Sequence, residues 1–162
     1  MSKTLTVNNT PYEYPTPGDE PGWGEDATGW AEEVTDVLNS LLGPDDILET
    51  TFSVNNDVST FTNISGLLFN TGSVRAALIE YSIYRISDSN PSGNAESGIM
   101  NIVYDNSAAS GSQWQLSVGD IVGNSGVVFD ITDAGQLQYQ STDIGSLNYS
   151  GVMKFKARAL QQ

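Results

Sequence analysis

The sequence predicts a mainly β protein: an antiparallel β-sandwich or jelly-roll-like C-terminal domain, preceded by an extended arm and one short α-helix. Three observations predict it. Short apolar and β-branched runs recur after residue 46, with polar turn residues between them and no helical pattern interleaved. One stretch, residues 27–42, repeats its apolar residues at helical spacing. Before it, Pro11, Pro15, Pro17 and Pro21 punctuate a segment that suits neither a helix nor a central strand. The expected division is an arm over 1–26, a helix over 27–43 and a β domain over 46–162.

Each proline of the arm fixes φ and removes a hydrogen-bond donor. Tyr12, Tyr14 and Trp23 lie among the prolines. A solvated linker seldom carries three large rings so close together. Either the arm is pinned to another surface, with the rings as anchors, or it folds back on its own domain.

In the helix, Ala27, Trp30, Ala31, Val34, Val37, Leu38, Leu41 and Leu42 form a broad apolar stripe. Asp26 or Thr28 suits its start, Glu32 and Glu33 suit the positive end of its dipole, and Gly43-Pro44 stops it. Ala27, Ala31, Val34, Leu38 and Leu41 also fit heptad spacing. Two heptads are too short for a free coiled coil. The stripe therefore packs either on the chain's own β domain or at a symmetric trimer axis, where Val34, Leu38 and Leu41 would make the contact.

The expected strands are 47–54, 58–62, 67–70, 73–86, 98–104, 113–118, 126–131, 136–141 and 152–159. Two alternate clearly. Ile79, Tyr81, Ile83 and Arg85 share one face of their strand, and Leu78, Glu80, Ser82 and Tyr84 the other. In the last strand Val152, Lys154, Lys156 and Arg158 line one face, with Met153, Phe155, Ala157 and Leu160 nearly on the opposite one. That basic row suits either an edge strand protected by charge or a face that meets a neighbour's carboxylates. Loops are expected at 88–97 and 106–113.

Composition removes most chemistry. The 162 residues include no His and no Cys. No Ser-His-Asp or Cys-His arrangement can form, and no thiolate metal site or disulfide. With 6 basic against 20 acidic residues the formal net charge is −14, which repels phosphate backbones and anionic membranes alike. Eleven of the acidic residues fall in the first 50 positions, where Lys3 is the sole base. No apolar run reaches the ~18 residues that span a bilayer. The start lacks an apolar signal core, so manufacture in a cytoplasm without export by that route is expected. Asn63-Ile64-Ser65 and Asn148-Tyr149-Ser150 match glycan sequons, which such a protein would not use.

Paired carboxylates are the remaining catalytic candidates: Asp19/Glu20, Asp45/Asp46 and Asp130/Asp133. All sit where turns and caps are expected, positions at which Asp and Glu bind local backbone amides. Asp130 and Asp133 with loop carbonyls also suit a Ca²⁺ ion, without the ligand spacing of an EF-hand. Neither Gly22-Trp23-Gly24 nor Gly123-Asn124-Ser125-Gly126 has the context of a phosphate-binding loop. No enzyme, cofactor or metal site is expected.

Two regions carry a resemblance. Tyr12-Glu-Tyr-Pro-Thr-Pro-Gly-Asp-Glu-Pro-Gly-Trp-Gly-Glu-Asp-Ala-Thr-Gly-Trp-Ala-Glu-Glu-Val-Thr resembles the N-terminal region of structural proteins of tailed-bacteriophage particles, in which a Pro/Trp-rich arm leads into a short helix. The C-terminal half resembles a module of phage fibres and head-surface proteins. It does so through Ile79-Glu-Tyr-Ser-Ile-Tyr-Arg, Glu96-Ser-Gly-Ile-Met, Gly126-Val-Val-Phe-Asp-Ile, Gly135-Gln-Leu-Gln-Tyr-Gln-Ser and Gly151-Val-Met-Lys-Phe-Lys-Ala-Arg.

The resemblance implies a homotrimer on the virion, assembled in the host cytoplasm and attached by its N-terminal part. The expected partners are further copies of itself and the major capsid protein or another virion protein. Tyr12, Tyr14, Trp23 and Trp30 would make the attachment. The chain has no long shaft, which favours a capsid decoration, cement protein or short head fibre. The alternative is a short tail or baseplate protein that binds host surface glycans through loops 88–97 or 106–113.

Overall fold

The structure is a computed structural model, and it describes residues 2–7, 10–15, 24–41 and 43–161. It divides into two compact units, Met1–Pro44 and Asp45–Gln162.

In the first unit, β1 (Ser2–Val7) and β2 (Thr10–Pro15) form an antiparallel hairpin, and α1 (Gly24–Leu41) follows. The expected arm is therefore paired strand over 10–15. Pro11 lies opposite Thr6 and Pro15 opposite Ser2. Pairs in an antiparallel ladder alternate between hydrogen-bonded and open classes, and residues four apart fall in the same class. A ladder carried by the other class loses no donor to either proline. A two-stranded ribbon also has only edges, where proline is tolerated.

Helix α1 begins at Gly24, earlier than expected, so Asp26 and Thr28 lie inside it rather than ahead of it. Ala31 is buried and Val34 half-buried. Val37, Leu38 and Leu41 are exposed.

The second unit is wholly antiparallel. Its strands are β3 (Ile47–Ser53), β4 (Val58–Leu68), β5 (Val74–Ser87), β6 (Asn90–Tyr104), β7 (Trp114–Gly123), β8 (Val127–Ile131), β9 (Gln136–Ser141) and β10 (Ser150–Gln161). Five form one sheet in the order β3-β10-β5-β6-β7, and three form a second in the order β4-β9-β8. The sheets face each other in a sandwich-like arrangement. Rings meet across it: Phe52 of β3 and Tyr139 of β9 edge to face at 5.5 Å, Tyr81 of β5 and Phe129 of β8 at 5.1 Å.

The alternation read in β5 and β10 is the burial pattern found, except at Leu160, which strict alternation places with Lys154 and Lys156 and which is exposed. Ile79, Tyr81, Ile83, Met153, Phe155 and Ala157 point into the core, and Leu78, Glu80, Ser82, Lys154, Lys156 and Arg158 are outside. Each large apolar side chain buried this way contributes about 2 kcal/mol.

Two strand expectations differ. Residues 58–62 and 67–70 were expected as two strands, yet β4 runs unbroken over Val58–Leu68, with its register to β9 shifting between Asn63 and Leu68 and Gly66 at φ +90°. A bulge absorbs what reads as a break. The loop expected over 88–97 is mostly strand: Asn90 pairs with Ser87 and Asn94 with Arg85. The polar run Asn90–Asn94 has turn propensity, but β5 beside it supplies partners for its backbone, and pairing prevails over propensity.

Candidate interaction surfaces

The expected anchors fall in the first unit. Tyr12 and Tyr14 occupy alternate positions of β2, Trp30 lies in α1, and Trp23 lies outside the described residues. Of the expected trimer contacts, Leu38 and Leu41 are 42% and 60% exposed, while Val34 is half-buried.

Three of the candidate carboxylates, Asp133, Asp130 and Asp46, bind backbone amides. Asp133 accepts from the N–H groups of Gly111 and Gln113 and from the Ser110 hydroxyl. These donors, the Gly111 amide first, hold its carboxyl below the usual range. Asp130 accepts from the Ile131 N–H at 2.9 Å, and Asp46 from the Ala159 N–H at 2.7 Å. Asp19 and Glu20 lie outside the described residues. The Asp133 carboxyl, held ionised by amides, is a poor proton donor. Among the described residues, no three acidic side chains gather as a metal site would need.

The loop after β6 is clamped at both ends. Asp105 accepts from the Ser107 N–H at 2.9 Å and its hydroxyl at 2.6 Å, and these bonds hold the Asp105 carboxyl below the usual range. Asp133 grips the far side of the same loop. Asp143 is likewise held low, by the Gly145 N–H at 2.8 Å and the Asn56 amide at 2.6 Å.

Inside the second unit lies a polar cluster that the sequence reading missed. Arg85 is fully buried. It donates to the Tyr149 hydroxyl at 3.0 Å, the Ser125 carbonyl at 2.7 Å, Asn56 Oδ1 at 3.0 Å and the Thr142 carbonyl. Its guanidinium also lies 5.7 Å from the Tyr149 ring centroid. Glu96 accepts from the Tyr81 hydroxyl at 2.7 Å and from the Ser125 N–H at 2.8 Å. The signal was present: Arg85 shares its strand face with Ile79, Tyr81 and Ile83. The cluster binds β5 and β6 to the connections around 125 and 142, and its groups are saturated by one another.

The outer face of the five-stranded sheet is the most varied surface. Tyr84 is half exposed, and its ring lies against the backbone of Gly93, where an added Cβ would meet it at 2.7 Å. Beside it is a shallow depression of about 490 Å³, lined by Ser82, Tyr84, Ser97, Val122, Val152 and Lys154. Along β10, Lys154 pairs with Glu49 at 3.3 Å and Lys156 with Glu80 at 2.8 Å. β10 is hydrogen-bonded to β3 on one side and β5 on the other. The reading of its basic row as protection for an edge strand is thereby corrected over Lys154 and Lys156, where β10 lies between two strands; Arg158 stands just past the last β3 partner, Ile47.

No family model matches the chain, and no curated protein sequence matches it. Solved structures with some likeness include the tailspike protein of Acinetobacter phage vB_ApiP_P1, at 12% identity and a TM-score of 0.40, covering 70% of this chain and 22% of that one. Another is the tailspike protein of Acinetobacter baumannii phage AM24, at 13% identity and a TM-score of 0.35, covering 72% of this chain and 26% of that one. The chain spans about a quarter of the length of these tailspikes. Likenesses of this size leave the function to be argued from the residues.

Proposed function

We propose that this protein is a non-catalytic structural component of a tailed-phage particle, a homotrimer that decorates or cements the capsid surface through its N-terminal unit. The observation that carries the self-association is the exposure of Leu38 and Leu41 on α1. Water penalises such side chains, and covering what remains exposed of each gains about 1 kcal/mol. They stand one turn apart, as the contact residues of a helix seam do. Three copies around an axis form a closed assembly.

The location on the particle rests on the resemblance of residues 12–35 to phage attachment regions. Tyr12, Tyr14, Trp23 and Trp30 would supply the large rigid contacts that dominate interface energies, set against the major capsid protein or another virion protein. Three weak attachments acting together bind far more tightly than one, because the second and third are intramolecular. The clamped loops of the second unit, held by Asp105, Asp133 and Asp143, suit a passive load-bearing part.

The deciding experiment is immunogold labelling of purified particles. Label over the shell, lost when residues 1–42 are deleted, is the expected result. Decoration by the deleted form would overturn the attachment mechanism.

A second reading is favoured by one observation. The Tyr84 ring, braced on Gly93 beside Ser82, Ser97 and Lys154, has the mixture of a flat apolar face and polar groups that suits a sugar ring. In that reading the protein is a short tail or baseplate component that binds host surface glycans. Label at tail tips, with glycan-array binding lost in Tyr84→Ala, would establish it.

A further inference from the structure

Three of the chain's six basic residues stand on one face of one strand, in a protein of net charge −14. Lys154, Lys156 and Arg158 are all exposed and recur every second residue of β10, about 6.7 Å apart. Over Lys154 and Lys156 the strand is interior to its sheet, so edge protection does not account for those two. Glu49 and Glu80 engage Lys154 and Lys156, but both pairs are solvent-exposed, and such pairs exchange partners at little cost. Arg158 makes no ion pair among the described residues; its register neighbour on β5 is Leu78. Around the row, Leu78, Tyr84, Val152 and Leu160 are exposed as well. The face thus offers cations framed by apolar side chains.

The complementary chemistry is in the chain's own first 44 residues, with eight acidic groups against one basic. Two of those carboxylates, Glu33 and Asp36, are exposed on α1. Three residues apart, they are neighbours on the helix surface, with a rise of about 4.5 Å between them. By helical periodicity they lie well around the helix from Val34, Leu38 and Leu41. Use of those three at an axis leaves the carboxylates available.

We infer that the outer face of the five-stranded sheet, centred on Lys154, Lys156 and Arg158, is the docking surface for the acidic N-terminal region of a second copy of this chain. Charge complementarity selects the occupant. Like regions of two copies would repel, so the contact is heterologous, acidic segment to basic row, and closes into a ring when each copy gives one and receives one. This rests on the self-association proposed above and specifies where its second contact lies.

The test uses the full-length chain. Copies with ordinary and heavy nitrogen are mixed, joined by zero-length carbodiimide cross-linking and analysed by mass spectrometry, with sedimentation in parallel. The expected result is amide links from Lys154 or Lys156 to Glu33, Asp36 or another acidic residue of the first 44, in peptides of mixed isotope. Lys156→Glu with Arg158→Glu should weaken self-association about tenfold, and Glu33→Lys with Asp36→Lys in the same chain should restore it. Links confined to peptides of one isotope, or unchanged association in Lys156→Glu/Arg158→Glu, would overturn the inference. If Leu38→Glu/Leu41→Glu then still dissociates the protein, the self-associating reading survives alone. A wild-type chain that sediments as a monomer overturns both.

Discussion

Arg85 and Glu96 bind the same residue from two sides: Arg85 donates to the Ser125 carbonyl at 2.7 Å, and Glu96 accepts from the Ser125 N–H at 2.8 Å. A cation and an anion are thereby both buried in the second unit, and one short connection satisfies part of each. Burying charge is costly unless every donor and acceptor is met. Here backbone groups of Ser125 and Thr142 and the side chains of Asn56, Tyr81, Ser125 and Tyr149 supply the partners.

Replacing Arg85 tests that arrangement. Arg85→Met leaves the carbonyls of Ser125 and Thr142 and the Asn56 Oδ1 short of a donor. At about 1 kcal/mol for each acceptor, the loss should be about 3 kcal/mol in urea unfolding. Arg85→Lys should recover little, because a single ammonium cannot span the planar fork's partners. A loss within about 0.5 kcal/mol for Arg85→Met would show that the cluster adds nothing to stability.

Tyr81 gives a test at high pH. Burial first, then the hydrogen bond to Glu96, push its hydroxyl well above the ordinary tyrosine range. A group with a raised folded pKa contributes stability that is complete below its unfolded value, near 10, and is lost as pH rises beyond it. Ultraviolet titration should therefore find one tyrosine that ionises only as the fold is lost. Tyr81→Phe should remove that component and lower stability by about 1 kcal/mol.

Gly135 permits the turn between β8 and β9. Its φ is +80°, and a Cβ there would collide with the Phe69 carbonyl oxygen. Gly135→Ala meets both a backbone penalty and a clash with immovable main chain. A loss of about 2 kcal/mol or more is expected, read as a lowered Tm. An unchanged Tm would mean that the turn can rearrange.

Asp133 predicts an acid-sensitive loop. Its carboxyl is depressed chiefly by the Gly111 and Gln113 amides. A depressed folded pKa contributes order that is present above the unfolded value, near 4, and lost as pH falls through the folded one. Asp133→Ala at neutral pH should raise hydrogen exchange at Gly111 and Gln113 by about tenfold while leaving β9 protected. The wild-type loop should loosen in the same way only at pH below about 4. Equal protection in mutant and wild type would remove Asp133 from that role.

The sequence by itself determined which side chains face inward along β5 and β10, because a strand's side chains alternate and Ile79, Tyr81, Ile83, Met153 and Phe155 leave one solution. It determined the helix, from apolar spacing and the Gly43-Pro44 stop, and it excluded histidine and thiol chemistry outright. Tertiary structure alone decided what depends on partners distant along the chain. It made Asn90–Asn94 a strand by placing β5 beside it. It put β10 between β3 and β5, turning a basic row that reads as edge protection into the middle of a sheet face. It also sank Arg85 among Asn56, Ser125, Thr142 and Tyr149, residues up to 64 positions away. Local patterns encode a residue's own face and spacing, whereas pairing order and charge burial are set by which segments meet, and that is a property of the whole fold.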